Sequence, residues 1–81
     1  MTSARVVLVG KPGCHLCDVA REVVERVGAE FDVDYREINI WDDPRSADRY
    51  ADRIPVVLVD GEEVGQFRID PDRLRRALAG P

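Results

Sequence analysis

Apolar residues form two kinds of run along this chain, and each kind predicts a different element. Continuous runs rich in β-branched residues cover residues 4–9 and 54–59, and such runs are typical of buried strands. Imperfect alternation over residues 31–40 favours another strand. A fourth strand is predicted at about residues 63–68, because Asp60-Gly61 before it is typical of a two-residue hairpin turn.

Helical spacing separates these strands. After Cys14, apolar residues recur every three or four positions with charged residues between them, which predicts an amphipathic helix ending at Gly28. Asp43-Pro44 and Asp70-Pro71 each combine an N-cap with proline at the first helical position. They predict a short helix over residues 44–52 and a last helix that ends at residue 80. The apolar stripe of the first helix consists of Leu16, Val19, Ala20, Val23, Val24 and Val27.

The predicted order is therefore β-α-β-α-β-β-α over a single domain, residues 1–81. A crossover helix joins the first two strands, which should be parallel, whereas the last two form an antiparallel hairpin. These features predict an α/β fold with a mixed four-stranded sheet. Trp41, the one tryptophan, follows the second strand, and we expect it to pack at the edge of the core.

Charge and composition reduce the number of function classes that fit this chain. The chain is 44% hydrophobic and 35% charged, with a net charge of −4 and scattered cationic residues. These values favour a soluble domain and give no electrostatic reason to bind nucleic acid or anionic membranes. No run resembles a signal peptide or a membrane span of about 18 apolar residues. We therefore expect a cytoplasmic monomer.

The two cysteines carry the candidate chemistry. Cys14-His15-Leu16-Cys17 follows a strand and a glycine-containing turn, and it opens the first helix. Unpaired N–H groups at a helix start stabilise a thiolate, so Cys14 is the expected nucleophile and Cys17, one turn on, the resolving thiol. A cytosolic C-x-x-C is more often redox-active or metal-binding than structural. A four-cysteine zinc site is excluded, although His15 could add a third local ligand to a metal.

Three segments give the chain a likeness to a known family. They are the strand and helix around Lys11-Pro12-Gly13-Cys14-His15-Leu16-Cys17, the segment Arg53-Ile54-Pro55-Val56, and the Asp60-Gly61 hairpin that ends in Gly65. Together they resemble a glutaredoxin-like protein of the thioredoxin superfamily. The resemblance implies the three-layer thioredoxin/glutaredoxin-like fold and a thiol–disulfide oxidoreductase that uses a redox-active Cys14–Cys17 disulfide and no other cofactor. It would act on protein disulfides or a low-molecular-weight thiol, and a reductase or small thiol would recycle it.

The resemblance also implies roles for other residues. It predicts a cis Ile54–Pro55 bond, with the Ile54 main chain pairing with the substrate, and a contact between Lys11 and a glutathione carboxylate. His15 replaces the usual proline and would modulate the redox potential. Gln66 stands where glutaredoxins have a second glycine, and Arg68 follows where an acidic or hydroxyl residue is usual, so glutathione binding stays open. A soft-metal module that binds copper or an iron–sulfur cluster and an adaptor with vestigial redox function are the alternatives.

Overall fold

The computed structural model describes residues 4–80, and the predicted element order is confirmed. Several predicted bounds were too wide, because the residues at element ends lie in turns or caps. The strands are β1 (Val6–Gly10), β2 (Tyr35–Asn39), β3 (Val56–Val59) and β4 (Glu62–Gln66), and the helices are α1 (His15–Phe31), α2 (Pro44–Tyr50) and α3 (Pro71–Ala79).

The four strands form one mixed sheet in the order β2-β1-β3-β4. β1 and β2 are parallel, with Val9 opposite Ile38, and β3 is antiparallel to β1, with Val9 opposite Val56. This register brings the C-terminal ends of β1, β2 and β4 and the N-terminal end of β3 to one edge of the sheet. We call this edge, with the loops that leave it, the active-site edge.

Two apolar clusters cover the two faces of the sheet and make the fold three-layered. The larger cluster packs α1 and α3 against β1 and β3, with Leu8, Val24 and Leu74 at its centre. The smaller cluster packs α2 against the other face through Val9, Ile40 and Val56, with α2 residues such as Tyr50 at its rim. Helices on both faces fix the position of each loop at the active-site edge.

The prediction that α1 ends at Gly28 was wrong. α1 continues to Phe31, and Asp32, in the left-handed region with φ 54°, forms the C-cap. Gly28 lies inside the helix because the returning chain passes close to it. A Cβ there would lie 3.1 Å from the main-chain oxygen of Val33, whose N–H donates to the Gly28 carbonyl. The glycine therefore permits close packing of the loop and does not end the helix.

The prediction for Trp41 was also wrong. Its side chain is 69% exposed, and it follows Ile40, whose N–H donates to the Gly10 carbonyl. Ile40 itself is buried and fills the core position at this point. Trp41 is thus held at the active-site edge by a buried neighbour while its own ring faces away from the core.

None of the helices formed by residues 4–80 combines the length and the hydropathy that crossing a bilayer requires.

Candidate active site

Cys14 is the N-cap of α1, in extended conformation with φ −102° and ψ 112°. Its carbonyl accepts the Asp18 N–H, and its sulfur accepts the main-chain N–H of Cys17 at 3.2 Å. Serine, threonine and aspartate oxygens normally make this capping contact. Here a half-buried sulfur makes it, so the helix start directs a hydrogen-bond donor and its positive dipole end at Cys14.

Cys17 is fully buried beneath this loop, with a relative exposure of 0%, and both cysteines are free thiols. Gly10 makes room for it, because a Cβ at that position would lie 2.9 Å from the Cys17 sulfur. Burial, followed by the hydrogen bond with Cys14, raises the pKa of Cys17 to about 11. The main-chain N–H of Lys11 opposes this rise. The two sulfurs therefore occupy distinct environments: one at the surface and one in the core.

A charged cluster borders the buried cysteine on the β2 side. Arg21, one turn after Cys17, donates to both carboxylate oxygens of Glu37 at 2.8 and 2.6 Å and to Asp18 at 2.8 Å. Hydrogen bonds from Arg21 lower the pKa of Glu37, and the positive charge of Arg21 slightly lowers the pKa of Cys17. The cluster lines a cleft of about 240 Å³ together with Gly10 and Lys11.

The Ile54–Pro55 peptide bond is cis, as predicted. Pro55 is fully buried and Ile54 half-buried. Pro55 directly precedes Val56, which pairs with Val9 of β1 and Gln66 of β4. The main chain of Ile54 makes no backbone hydrogen bond to residues 4–80.

Phe67, directly after β4, is a part of the candidate site that sequence reasoning missed. Its N–H donates to the Pro55 carbonyl at 2.9 Å, its side chain is 45% exposed, and its φ is 61°. A bulky residue in the left-handed region is an outlier, and such strain often occurs at functional sites. No pattern in the sequence signals it, because Phe67 reads as one more apolar strand residue.

The fold brings the remaining predicted residues to the same edge without joining them in one contact. His15 and Lys11 are exposed on opposite sides of Cys14 in the chain, and Gln66 is exposed at the end of β4. Two strand spacings, about 10 Å, separate the β1 and β4 ends. Lys11 and Gln66 accordingly line different clefts.

Gly10 is the second functional residue that the sequence pattern did not reveal. It reads as a turn glycine, whereas its role is to accommodate the Cys17 sulfur. Gly10 ends β1 and stands seven positions before Cys17, and this spacing becomes informative only when the fold shows that the end of β1 packs against the start of α1.

The family follows from comparison with known proteins. Residues 5–79 match the family described as Glutaredoxin-like domain (DUF836). This chain belongs to that glutaredoxin-like family. An uncharacterized protein of Mycobacterium tuberculosis, Rv0508, is 30% identical over 84 residues, which cover 98% of this chain and 87% of the relative.

Solved structures share this fold. The X. campestris protein XcR50 has a TM-score of 0.75 and 32% identity, covering 94% of this chain and 99% of that one. Ne2328 from Nitrosomonas europaea has a TM-score of 0.74 and 25% identity, covering 91% and 89%. The glutaredoxin grx-1 from Archaeoglobus fulgidus has a TM-score of 0.70 at 21% identity, covering 95% and 88%, and supports the fold alone.

The alternative of a soft-metal module depends on which metal-ligating side chains lie close together. Within residues 4–80, no three side chains of histidine, cysteine, aspartate or glutamate converge on a point. The C-x-x-C could offer two sulfurs to a soft metal.

Proposed function

We propose that this protein is a dithiol–disulfide oxidoreductase in which Cys14 is the nucleophile and Cys17 the resolving thiol. The observation that carries the proposal is the asymmetry of the pair. The half-buried Cys14 sulfur accepts a helix N–H, while Cys17 is buried one turn later with a raised pKa. Membership of the glutaredoxin-like family supports this class of chemistry.

In the first step, the Cys14 thiolate attacks one sulfur of a substrate disulfide. A mixed disulfide forms, the substrate S–S bond breaks, and the leaving sulfur departs as a thiolate that takes a proton from water. The Cys17 N–H and the start of α1 stabilise negative charge on Cys14 before the attack.

The second step needs Cys17 as a thiolate. Because its pKa is raised to about 11, Cys17 is almost entirely protonated at pH 7. Two of the causes that raise this pKa are the hydrogen bond to Cys14 and the charge of Cys14. Both change once Cys14 is bonded to substrate sulfur, because the thiolate charge is gone. Formation of the mixed disulfide therefore favours ionisation of Cys17.

Cys17 then loses its proton and attacks the Cys14 sulfur. The mixed disulfide breaks, the second substrate thiolate leaves, and the Cys14–Cys17 disulfide forms. Two electrons have passed from the cysteine pair to the substrate. A reductase or a low-molecular-weight thiol returns the pair to the dithiol state.

The other predicted residues act on the substrate in this proposal. The unpaired main chain of Ile54, set by Pro55, adds a short strand contact to an extended substrate. Lys11 and Gln66 contact substrate groups on the two sides of the cysteine loop. His15 modulates the redox potential from its exposed position at the start of α1.

The test is a single-turnover assay with a reduced protein and an excess of protein over a peptide disulfide, so that no recycling partner is needed. The Cys14→Ser variant should reduce the peptide at the background rate, and the wild type well above it. A wild type that reduces no disulfide above background would overturn the proposal. Circular dichroism of Cys14→Ser provides the control for folding, since Cys14 is only half-buried.

A further inference from the structure

A cleft beside the active-site edge is lined by two arginines and carries an excess of positive charge. It has a volume of about 360 Å³ and is lined by the end of β4 and the start of α3. Arg68 and Arg73 lie on it, and both are exposed. Neither guanidinium forms an ion pair with a carboxylate of residues 4–80. These two arginines stand in a chain whose net charge is −4.

The two acidic residues on the cleft are already engaged elsewhere. Glu63 accepts from Arg53 through both of its oxygens, at 2.7 and 2.8 Å. Asp70 caps α3 by accepting the Asp72 N–H at 2.9 Å. Once the Glu63–Arg53 pair is set aside as neutral, two guanidinium groups face one capping carboxylate. The cleft therefore has an excess of positive charge and free N–H donors.

The cleft lies within reach of a substrate bound at the cysteines. The Phe67 N–H donates to the Pro55 carbonyl at 2.9 Å, and Gln66 pairs with Val56. Gln66 and Phe67 are thus about one strand spacing, 4.8 Å, from residues 55 and 56, and Arg68 follows them directly. An extended substrate advances about 3.3 Å per residue, so for a substrate that pairs with Ile54 we expect a group one to three residues from the reacting cysteine to reach this cleft.

We infer that Arg68 and Arg73 form a carboxylate-binding subsite, which selects disulfide substrates that carry an acidic group near the reacting sulfur. Guanidinium groups bind carboxylates through paired N–H donors. The inference rests on the proposed oxidoreductase function and deepens it by naming a substrate class. The acidic group comes either from a side chain of a protein substrate or from the carboxylate of a small disulfide.

Two substrate series separate these sources. The first consists of peptides with one internal disulfide flanked by glutamate, glutamine or lysine. The second consists of dithiodipropionate, which carries two carboxylates, and cystamine, which carries two amines. The measured quantity is the second-order rate constant for reduction by the reduced protein at low ionic strength. The wild type should reduce the acidic member of at least one series about five- to tenfold faster than the basic member.

The matched variants are R68Q/R73Q and R26Q/R36Q, which change the net charge equally. Arg26 and Arg36 are exposed and lie off the cleft, on α1 and β2. The preference should vanish in R68Q/R73Q and persist in R26Q/R36Q. The rate with the basic substrates should rise in R68Q/R73Q because repulsion is removed, and this gain also shows that the variant is folded. Added salt should weaken the wild-type preference.

The outcomes are distinct. A preference in the peptide series assigns the carboxylate to a protein substrate, and a preference confined to the small disulfides assigns it to a small thiol. Reduction without charge preference in either series, or a preference that survives R68Q/R73Q, overturns the subsite and leaves the oxidoreductase intact. No reduction of any substrate overturns the proposed function and the subsite with it.

Discussion

The two ends of the sheet each contain a non-glycine residue with a positive φ, Asp60 at one end and Phe67 at the other, and the surroundings of the two residues differ. At the end opposite the cysteines, Asp60 has φ 51° and is tied to Arg5 by two side-chain hydrogen bonds of 3.1 and 2.9 Å. At the active-site edge, Phe67 has φ 61° and its ring is exposed. Aspartate tolerates the left-handed region, whereas phenylalanine adopts it rarely and with strain.

The difference shows where local stability and function separate. The Asp60 end is closed by a turn residue suited to its conformation and by an ion pair. The active-site edge retains an unpaired main chain at Ile54, exposed aromatic rings at Trp41 and Phe67, and arginines without carboxylate partners among residues 4–80. Groups left unengaged in this way can contact a substrate. One layer below, however, the packing around Cys17 is tight.

That tight packing predicts the largest effect. Gly10→Ala should destabilise the protein by about 1–3 kcal/mol, because the new methyl overlaps the Cys17 sulfur. Urea unfolding measures the change. Repeating the substitution in a Cys17→Ala background should reduce its cost, since the sulfur is then absent. An equal cost in both backgrounds would contradict the contact.

The burial of Cys17 predicts a dependence on pH. Its folded pKa is raised from 9.0 to about 11, so the unfolded chain releases the proton first. Stability of the reduced protein should be fully present below about pH 9 and fall by an amount on the order of 2 kcal/mol as the pH rises to about 11. Urea unfolding at each pH gives the free energy. Cys17→Ala should show a shallower decline, and an identical decline would refute the assignment.

The strained position of Phe67 predicts opposite effects on stability and activity. Phe67→Gly should leave stability unchanged or raise it by about 1 kcal/mol, because glycine adopts positive φ without strain, while reduction of peptide disulfides slows. Asp60→Gly is the matched control at the other end. It should lower stability slightly, through loss of the exposed ion pair with Arg5, and leave the reduction rate unchanged. A loss of stability in Phe67→Gly that matches the control would remove the distinction between the two ends.

The smallest effect is predicted for Trp41. Because its side chain is 69% exposed, Trp41→Ala should change the unfolding free energy by less than about 0.5 kcal/mol. A core tryptophan would cost about 3–5 kcal/mol. Trp41 is the only tryptophan, so quenching of its fluorescence by acrylamide reports its exposure directly. Weak quenching would place the ring in the core.

The sequence predicted the fold well wherever a local pattern, such as a continuous apolar run or a turn or cap motif, was sufficient to identify the helix, strand or turn. The buried strands, the hairpin at Asp60-Gly61 and the proline starts of α2 and α3 were confirmed. The end of α1 was missed because Gly28 resembles a C-cap, and only the passing Val33 main chain explains a glycine inside the helix.

The candidate site could be predicted only in part, for a similar reason. The positions of Cys14 and Cys17 followed from the local C-x-x-C spacing, whereas the cis bond before Pro55 was predicted from the resemblance to glutaredoxin-like proteins. The role of Gly10 and the exposure of Trp41 depend on residues distant in the chain, and the φ of Phe67 depends on how β4 leaves the sheet. The cleft with Arg68 and Arg73 forms where the end of β4 lies beside the start of α3. No local spacing in the sequence predicts that these two segments lie together.

The most direct test of the central claim is to trap the reaction between its two steps. Cys17→Ser removes the resolving thiol and leaves Cys14 at its helix start. Mixed with a peptide disulfide, this variant should accumulate a mixed disulfide, and peptide mapping by mass spectrometry should place the bond on Cys14. The wild type under the same conditions should instead release both peptide thiols and acquire an internal Cys14–Cys17 disulfide. Absence of a mixed disulfide on Cys14 in the variant would contradict the proposed mechanism.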